Sequence, residues 1–364
     1  MNNRYDLIVI GGGPAGSGAA ITAARAGARV LLLERGRLPR HRVCGEFISG
    51  EALSLLHELL DPRRQALLTE AVRITKAEMH IDGCTLRTSV TPPAASIARL
   101  DLDFALWESA EEGGAHTLQQ NAVGDISGAG PFLVRAAEGQ YESRAVICAA
   151  GRWSNLTVPS TEAVGAKWLG IKAHFAEPPT ADSVDLYFFE GGYCGVQPVA
   201  MRDEEPTRIN VCAMVRADIA ATLPQVFALH AALHERSHRW RPRTDPVSTS
   251  PLIFRAPEPE RKGVLNVGDA AAFVDPFLGD GISLALRSGS LAARCLLPFL
   301  RSQTSLAEAA ANYRREYERQ FAHVFRSSSR IRQLLSLPRA VRSTILFLLR
   351  HNPAITQHLV RRTR

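Results

Sequence analysis

Three glycines and one carboxylate near the start of the chain have the types and spacing to hold a diphosphate and a ribose. Gly11, Gly13 and Gly16 stand in a Gly-x-Gly-x-x-Gly pattern that includes Pro14 and Ala15, and Glu34 follows 18 positions after Gly16. In such a pattern the first glycine permits a tight turn, the second lets backbone N–H groups approach a pyrophosphate, and the third lets a helix pack closely on a strand. The helix N-terminus then faces the phosphates, and a carboxylate at Glu34 can accept both ribose hydroxyls.

The elements that must position these groups are readable on either side. Residues 5–10 form a short, β-branched apolar run, as a strand buried on both faces of a parallel sheet should. Residues 15–26 follow as a helix of small residues, Gly27 ends it, and residues 29–33 give a second strand. Strand, turn, helix, strand and terminal acid together make a dinucleotide unit. NAD and FAD share the ADP half that it binds, so the rest of the chain must choose.

Arg35 opens a loop, residues 35–50, that carries Arg42, Cys44, Gly45 and Glu46; Gly45 would let a flat ligand approach the backbone. Arg99 precedes a helix expected over residues 101–112, with Asp101 as N-cap and Gly113-Gly114 as the stop. Gly151 and Ser154 follow a strand at residues 143–148. Much later, residues 264–267 run as an apolar strand into Gly268-Asp269-Ala270-Ala271, and after Pro276 and the turn Gly279-Asp280-Gly281-Ile282 a helix restarts.

In this order the motifs resemble those of the geranylgeranyl reductase and flavin-dependent hydroxylase superfamily, the group A flavin monooxygenases that resemble p-hydroxybenzoate hydroxylase. The resemblance implies FAD. It makes Arg42-x-Cys44-Gly45 a flavin-contacting loop, and lets Arg99, followed by Asp103 and Leu106, reach back to the flavin. Asp269 would hydrogen-bond a ribityl hydroxyl, and the turn 279–282 would offer N–H groups to the flavin N1/O2 edge, where negative charge collects on reduction. Two positions depart from the pattern. Ala150 stands where the hydroxylases carry an aspartate tied to both FAD and NADPH, and Tyr193-Cys194-Gly195-Val196-Gln197-Pro198 keeps only the tyrosine and proline of the reductases' Tyr-x-Trp-x-Phe-Pro.

The fold class expected is α/β: a doubly wound, Rossmann-like FAD-binding domain with an inserted, mostly antiparallel β-sheet substrate domain and C-terminal helices. Residues 1–70, 96–160 and 256–300 are assigned to the first, residues 71–95 and 161–255 to the second, and residues 301–364 to the helical end. The leading expectation for function is a monooxygenase of secondary metabolism that hydroxylates a hydrophobic or phenolic small molecule through a flavin C4a-hydroperoxide. Reduction of a prenyl or alkene double bond is one alternative. Halogenation is another, although only Lys76, Lys167, Lys172 and Lys262 could serve as its lysine and there is no Trp-x-Trp. A flavin-binding sensor or carrier without turnover is the reading from a different class. No second Gly-x-Gly-x-x-Gly marks a separate nicotinamide domain, so NAD(P)H would bind transiently in the groove, or a flavin reductase or other donor would supply electrons. Glu46, His174, Tyr193 and Gln197 are acid–base candidates because they fall on the loop or sheet expected beside the flavin.

Composition sets the remaining limits. At 364 residues, 46% hydrophobic and 22% charged, the chain can bury one large core or two moderate ones. Cys44, Cys84, Cys148, Cys194, Cys212 and Cys295 form no CxxC pair, which points to reduced thiols in a cytoplasm and to no metal centre. His230, His234 and His238 fall at i, i+4 and i+8 of an expected helix over residues 218–240 and read as a solvated face. The formal charge of +7 is not a nucleic-acid signal: residues 330–364 hold eight arginines and no acid, leaving 35 basic against 36 acidic residues elsewhere. That tail reads either as a helix packed on the body with snorkelling arginines or as a peripheral contact with an anionic membrane. The first strand begins within four residues of Met1 and no apolar run reaches the length of a membrane span, so a cytoplasmic protein is expected.

Overall fold

Two sheets organise the chain, and each grows from a different side-chain pattern. The computed structural model describes residues 3–152, 156, 167–178, 182–200, 208–249, 252, 256–273, 275, 277 and 279–335. Strand β1 (Arg4–Ile10) is almost wholly buried beyond its first residue, helix α1 (Pro14–Arg25) starts directly after Gly13, and β2 (Val30–Leu33) is buried throughout. The chain then crosses through β3 (Phe47–Ile48), α2 (Leu53–Leu59) and α3 (Ala66–Thr69) to a long hairpin, β4 (Val72–Ile81) and β5 (Cys84–Ser96). Asp82 and Gly83 join these strands with φ of +52° and +81°, the paired positive angles that an Asp-Gly type I′ turn requires.

Helix α4 (Arg99–Glu112), β6 (His116–Leu118), β7 (Val123–Gly128), β8 (Phe132–Ala136) and β9 (Gly139–Cys148) return to the first sheet. The second sheet is completed by β10 (Trp168–Ala176), β11 (Ser183–Phe189), β12 (Gly192–Pro198) and β13 (Arg208–Arg216), then α5 (Leu223–Ala228), α6 (Ala231–Ser237), β14 (Arg241–Pro242) and β15 (Val247–Thr249). Strands β16 (Glu260–Arg261) and β17 (Val264–Asn266) precede two long helices, α7 (Gly281–Leu300) and α8 (Leu306–Leu335).

The first sheet has the order β16-β17-β9-β1-β2-β6 and is parallel from β17 to β6, with the β7–β8 hairpin attached to β9. Ile147, Val9 and Leu32 stand side by side across its centre. Small residues on α1 follow from crowding: a Cβ on Gly16 would come within 1.8 Å of Gly11 O, and one on Gly289 of α7 within 2.0 Å of Ala15 O. The second sheet, β14-β10-β13-β12-β11-β4-β5-β3, is antiparallel except where β11 meets β4. Ile171, Ala173, Val196 and Val211 on one face pack under Val226, Phe227 and Leu233 of α5 and α6. Strand alternation therefore turns Gly170, Lys172, His174, Tyr193, Gln197, Asn210, Cys212 and Met214 to the other face, with Lys172 beside Cys212 and His174 beside Asn210. A doubly wound α/β layer with an inserted, mostly antiparallel sheet and C-terminal helices is the expected class.

Three local expectations are corrected. Helix α4 starts at Arg99 with Ala98 as N-cap, so Asp101 lies in the first turn rather than at the cap; the Arg99 N–H is satisfied by Glu46 Oε1 at 2.8 Å instead. The expected helix over residues 218–240 is two helices, because a Thr222–Gln225 capping box opens α5 and His230 turns extended to cap α6, accepting from Leu233 N at 3.4 Å. The three histidines consequently share no helical face: His230 sits edge-on to Tyr187, and His234 packs on His238. Helix α8 continues to Leu335. Ser154, Pro276 and residues 336–364 of the basic tail lie outside the described residues. Among the described residues no helix is long and apolar enough to cross a membrane.

Candidate active site

A cavity of about 930 Å³ is lined by the C-terminal ends of the parallel strands on one side and by the polar-bearing face of the second sheet on the other. At its nucleotide end, α1 begins at Gly13 with extended backbone and no side-chain cap, with Pro14 in the first turn, so its N–H groups are left for a ligand. Gly11 has φ +109°, and a Cβ there would meet Ala149 O at 2.3 Å. Gly13 differs: a Cβ would have only Arg99 Nη2, at 3.8 Å, within reach. The buried Glu34 lines the cavity and accepts from Gly12 N at 2.9 Å, from Gly36 N at 2.8 Å and from the Arg40 guanidinium. Arg35 and Arg42 line the same end; burial, with Arg40 nearby, pulls Arg42 down to about 10 against the opposing attraction of Glu34.

The middle of the cavity is walled by residues 43–47. Asn210 donates its side-chain amide to Cys44 O at 3.1 Å and to Gly45 O at 2.8 Å. Glu46 is fully buried with φ +60°, and its carboxylate accepts from the Lys172 ammonium, from His174 Nε2 at 2.7 Å and from Arg99 N–H at 2.8 Å. Burial alone would raise this carboxyl, but Lys172 and His174 outweigh it and hold it at about 2. The Arg99 guanidinium is paired with both oxygens of Asp103 at 2.7 Å.

Gly151, Gly268, Asp269, Gly279, Gly281 and Ile282 also line the cavity, and α7 presents a second N-terminus without a side-chain cap. Asp269 Oδ2 lies 3.5 Å from Arg152 Nε, and the Arg152 guanidinium lies over the Phe273 ring. Asp280 does not line the cavity; it is buried and accepts from Ser49 Oγ at 3.0 Å. Tyr193, Met214, Leu252 and Phe273 add an apolar stretch to the cavity wall, packed with Trp168, Leu186, Phe188 and Phe277. Burial pushes the Tyr193 phenol well above its ordinary value, so it stays neutral.

The fold thus joins two of the four acid–base candidates, Glu46 and His174, in one hydrogen bond and puts Tyr193 on the cavity wall. Gln197 is elsewhere, donating to Ser96 Oγ at 2.6 Å. The sequence singles out Lys172 only as one of four lysines, with no link to Glu46, and gives no sign of Asn210. The available signal was the alternation Gly170-x-Lys172-x-His174, which puts polar side chains on the very face expected to roof the site.

A family profile described as FAD dependent oxidoreductase matches residues 6–45. The chain is 25% identical to the menaquinone reductase of Mycolicibacterium smegmatis over 94% of its own length and 88% of the relative's. It is 26% identical to digeranylgeranylglycerophospholipid reductase 2 of Methanopyrus kandleri, over 92% and 87%. The chain is thus similar to FAD-dependent oxidoreductases in its nucleotide-binding start and, over most of its length, to these two reductases. A solved flavin-dependent brominase shares the fold of this flavoprotein with a TM-score of 0.77 at 18% identity, covering 99% of this chain and 93% of that one.

FAD fits the residues present. Cβ positions on Gly45, Gly151 and Gly281 meet nothing within 4 Å, so side chains there would occupy the groove. Glu34 would hold the ribose, the α1 N-terminus the pyrophosphate, and Asp269 the ribityl chain. Asp269→Ala is expected to weaken FAD binding by about 10–100-fold, as loss of one charge-assisted hydrogen bond should. Fluorescence titration of the apoprotein with FAD measures this.

Proposed function

We propose that this flavoprotein is a monooxygenase that hydroxylates a hydrophobic or phenolic small molecule, drawing electrons from NAD(P)H or from a partner flavin reductase. The observation that carries this reading is the aromatic stretch of the cavity wall, where Tyr193, Met214, Leu252 and Phe273 line the space and pack with Trp168, Phe188 and Phe277. A flat apolar ring fits such walls, and one neutral phenol can donate to, or accept from, a substrate hydroxyl. Bound FAD supplies the redox chemistry with dioxygen; the chain excludes water with Met214, Leu252 and Phe273 and orients the substrate with Tyr193. A second reading, reduction of a prenyl double bond, is favoured by the names of the menaquinone and digeranylgeranylglycerophospholipid reductases.

Labelled dioxygen separates the two. The FAD-loaded protein is reduced chemically without air, then mixed with phenols and labelled O2. One labelled atom in a phenolic product supports the proposal. Reoxidation only by an alkene acceptor under anaerobiosis, with no label incorporated, establishes the reductase reading. The proposed place of work is the cytoplasm, with peripheral membrane contact through residues 330–364. Loss of co-sedimentation with anionic vesicles after truncation before Pro338 is the expected result.

A further inference from the structure

Asn210 is a buried polar residue on the second sheet with no role in the reading above. Its amide NH2 reaches across to the first unit and donates to two consecutive carbonyls, Cys44 O at 3.1 Å and Gly45 O at 2.8 Å. Its own Oδ1 has no hydrogen-bond partner among the described residues. A buried acceptor left idle needs an explanation. Here the side chain is kept as a double donor, the one thing an amide NH2 does that a hydroxyl cannot.

What the two bonds hold is the wall of the groove. Cys44, Gly45 and Glu46 all line the cavity, and a Cβ on Gly45 would meet nothing within 4 Å, so this backbone faces the space where a flat ring would lie. The next residue, Glu46, has φ +60°, a conformation that a side chain other than glycine adopts at a cost and keeps only when its surroundings enforce it. Those surroundings are Asn210 on the backbone side and Lys172 and His174 on the carboxylate side, all three on the same face of β10 and β13.

We propose that Asn210 is a positioning residue for FAD: it staples the backbone of residues 44–45 so that the loop packs against the bound flavin ring. The proposal rests on the FAD reading, and its test separates the two. Wild-type apoprotein that fails to take up FAD overturns that reading itself.

Given FAD uptake, Asn210→Leu keeps most of the volume and removes the donors without adding a charge, and Asn210→Ala removes the side chain. Both variants are expected to bind FAD about 10–100-fold more weakly, the range that follows from losing two ordinary hydrogen bonds. Their flavin absorption bands should shift toward those of free FAD, while the melting temperatures of the two apoproteins stay near the wild-type value. Unchanged affinity and an unchanged spectrum in both variants overturn the proposal. So does a loss of apoprotein stability as large as the loss in FAD binding, which would make Asn210 a packing residue of the roof.

Discussion

Glu46→Ala is expected to destabilise the fold by about 3–5 kcal/mol, because it leaves the Lys172 ammonium, 1% exposed, without its carboxylate. A charge so buried has no water to turn to, and the neighbouring His174 cannot accept at both nitrogens and still donate. Urea unfolding of the apoprotein at neutral pH measures the loss. The double variant Glu46→Met, Lys172→Met removes both charges and should recover most of it, which a simple cavity would not allow. The pH dependence has a definite sign. A carboxyl held at about 2, against 4.5 ordinarily, contributes stability that is present above 4.5 and is lost as the pH falls toward 2. His41 adds in the same direction at higher pH: burial, then Lys172, keep its folded value below 6.5, so protonation below that pH favours the unfolded chain. A urea midpoint that did not fall between neutral and strongly acidic pH would contradict this account.

The second large effect separates two glycines that look alike in the motif. Gly16→Val should unfold the protein or prevent its accumulation, since even the first side-chain carbon would lie 1.8 Å from Gly11 O and 3.1 Å from the Ala149 side chain. Gly13→Val should leave the apoprotein folded, with a melting temperature within a few degrees of the wild type by the usual scale for surface-type changes. Its side chain has space only because that space is the groove, and FAD affinity should fall by at least about 100-fold, or 2.7 kcal/mol. Circular dichroism of the apoproteins and FAD titration together decide the matter. Equal FAD binding by Gly13→Val and the wild type would remove the pyrophosphate from this turn.

What was legible in the sequence was local. The glycine turn, Glu34 and the strand before Gly268 each declare themselves within a few residues, because tight turns and helix starts constrain neighbours in the chain. The Asp82-Gly83 hairpin was legible for the same reason. Helix starts were less so: Asp101 is a good capping type, but the Arg99 N–H finds its partner in Glu46, a residue 53 positions away that no local rule supplies. His230 ends one helix and caps the next because its backbone is extended, with φ −139°, which helical spacing of histidines cannot reveal. The cluster of Glu46, Lys172, His174 and Asn210 was hidden most deeply. Its members come from a loop and two strands, with Asn210 reaching back 166 positions to Cys44, and only the pairing of β10 with β13 over the loop brings them together.

The stapled loop also bears on how such a protein can change over generations. Residues 46, 172, 174 and 210 are matched to one another across two structural units, so drift at any one of them is penalised unless its partner changes too. Positions 193, 214 and 252 pack with one another at the cavity wall and belong to no such cluster. Variation in ligand choice among descendants of this chain should therefore accumulate at the latter set while the former stays frozen, and a roof grafted from another protein will need to bring its own donors to residues 44–46.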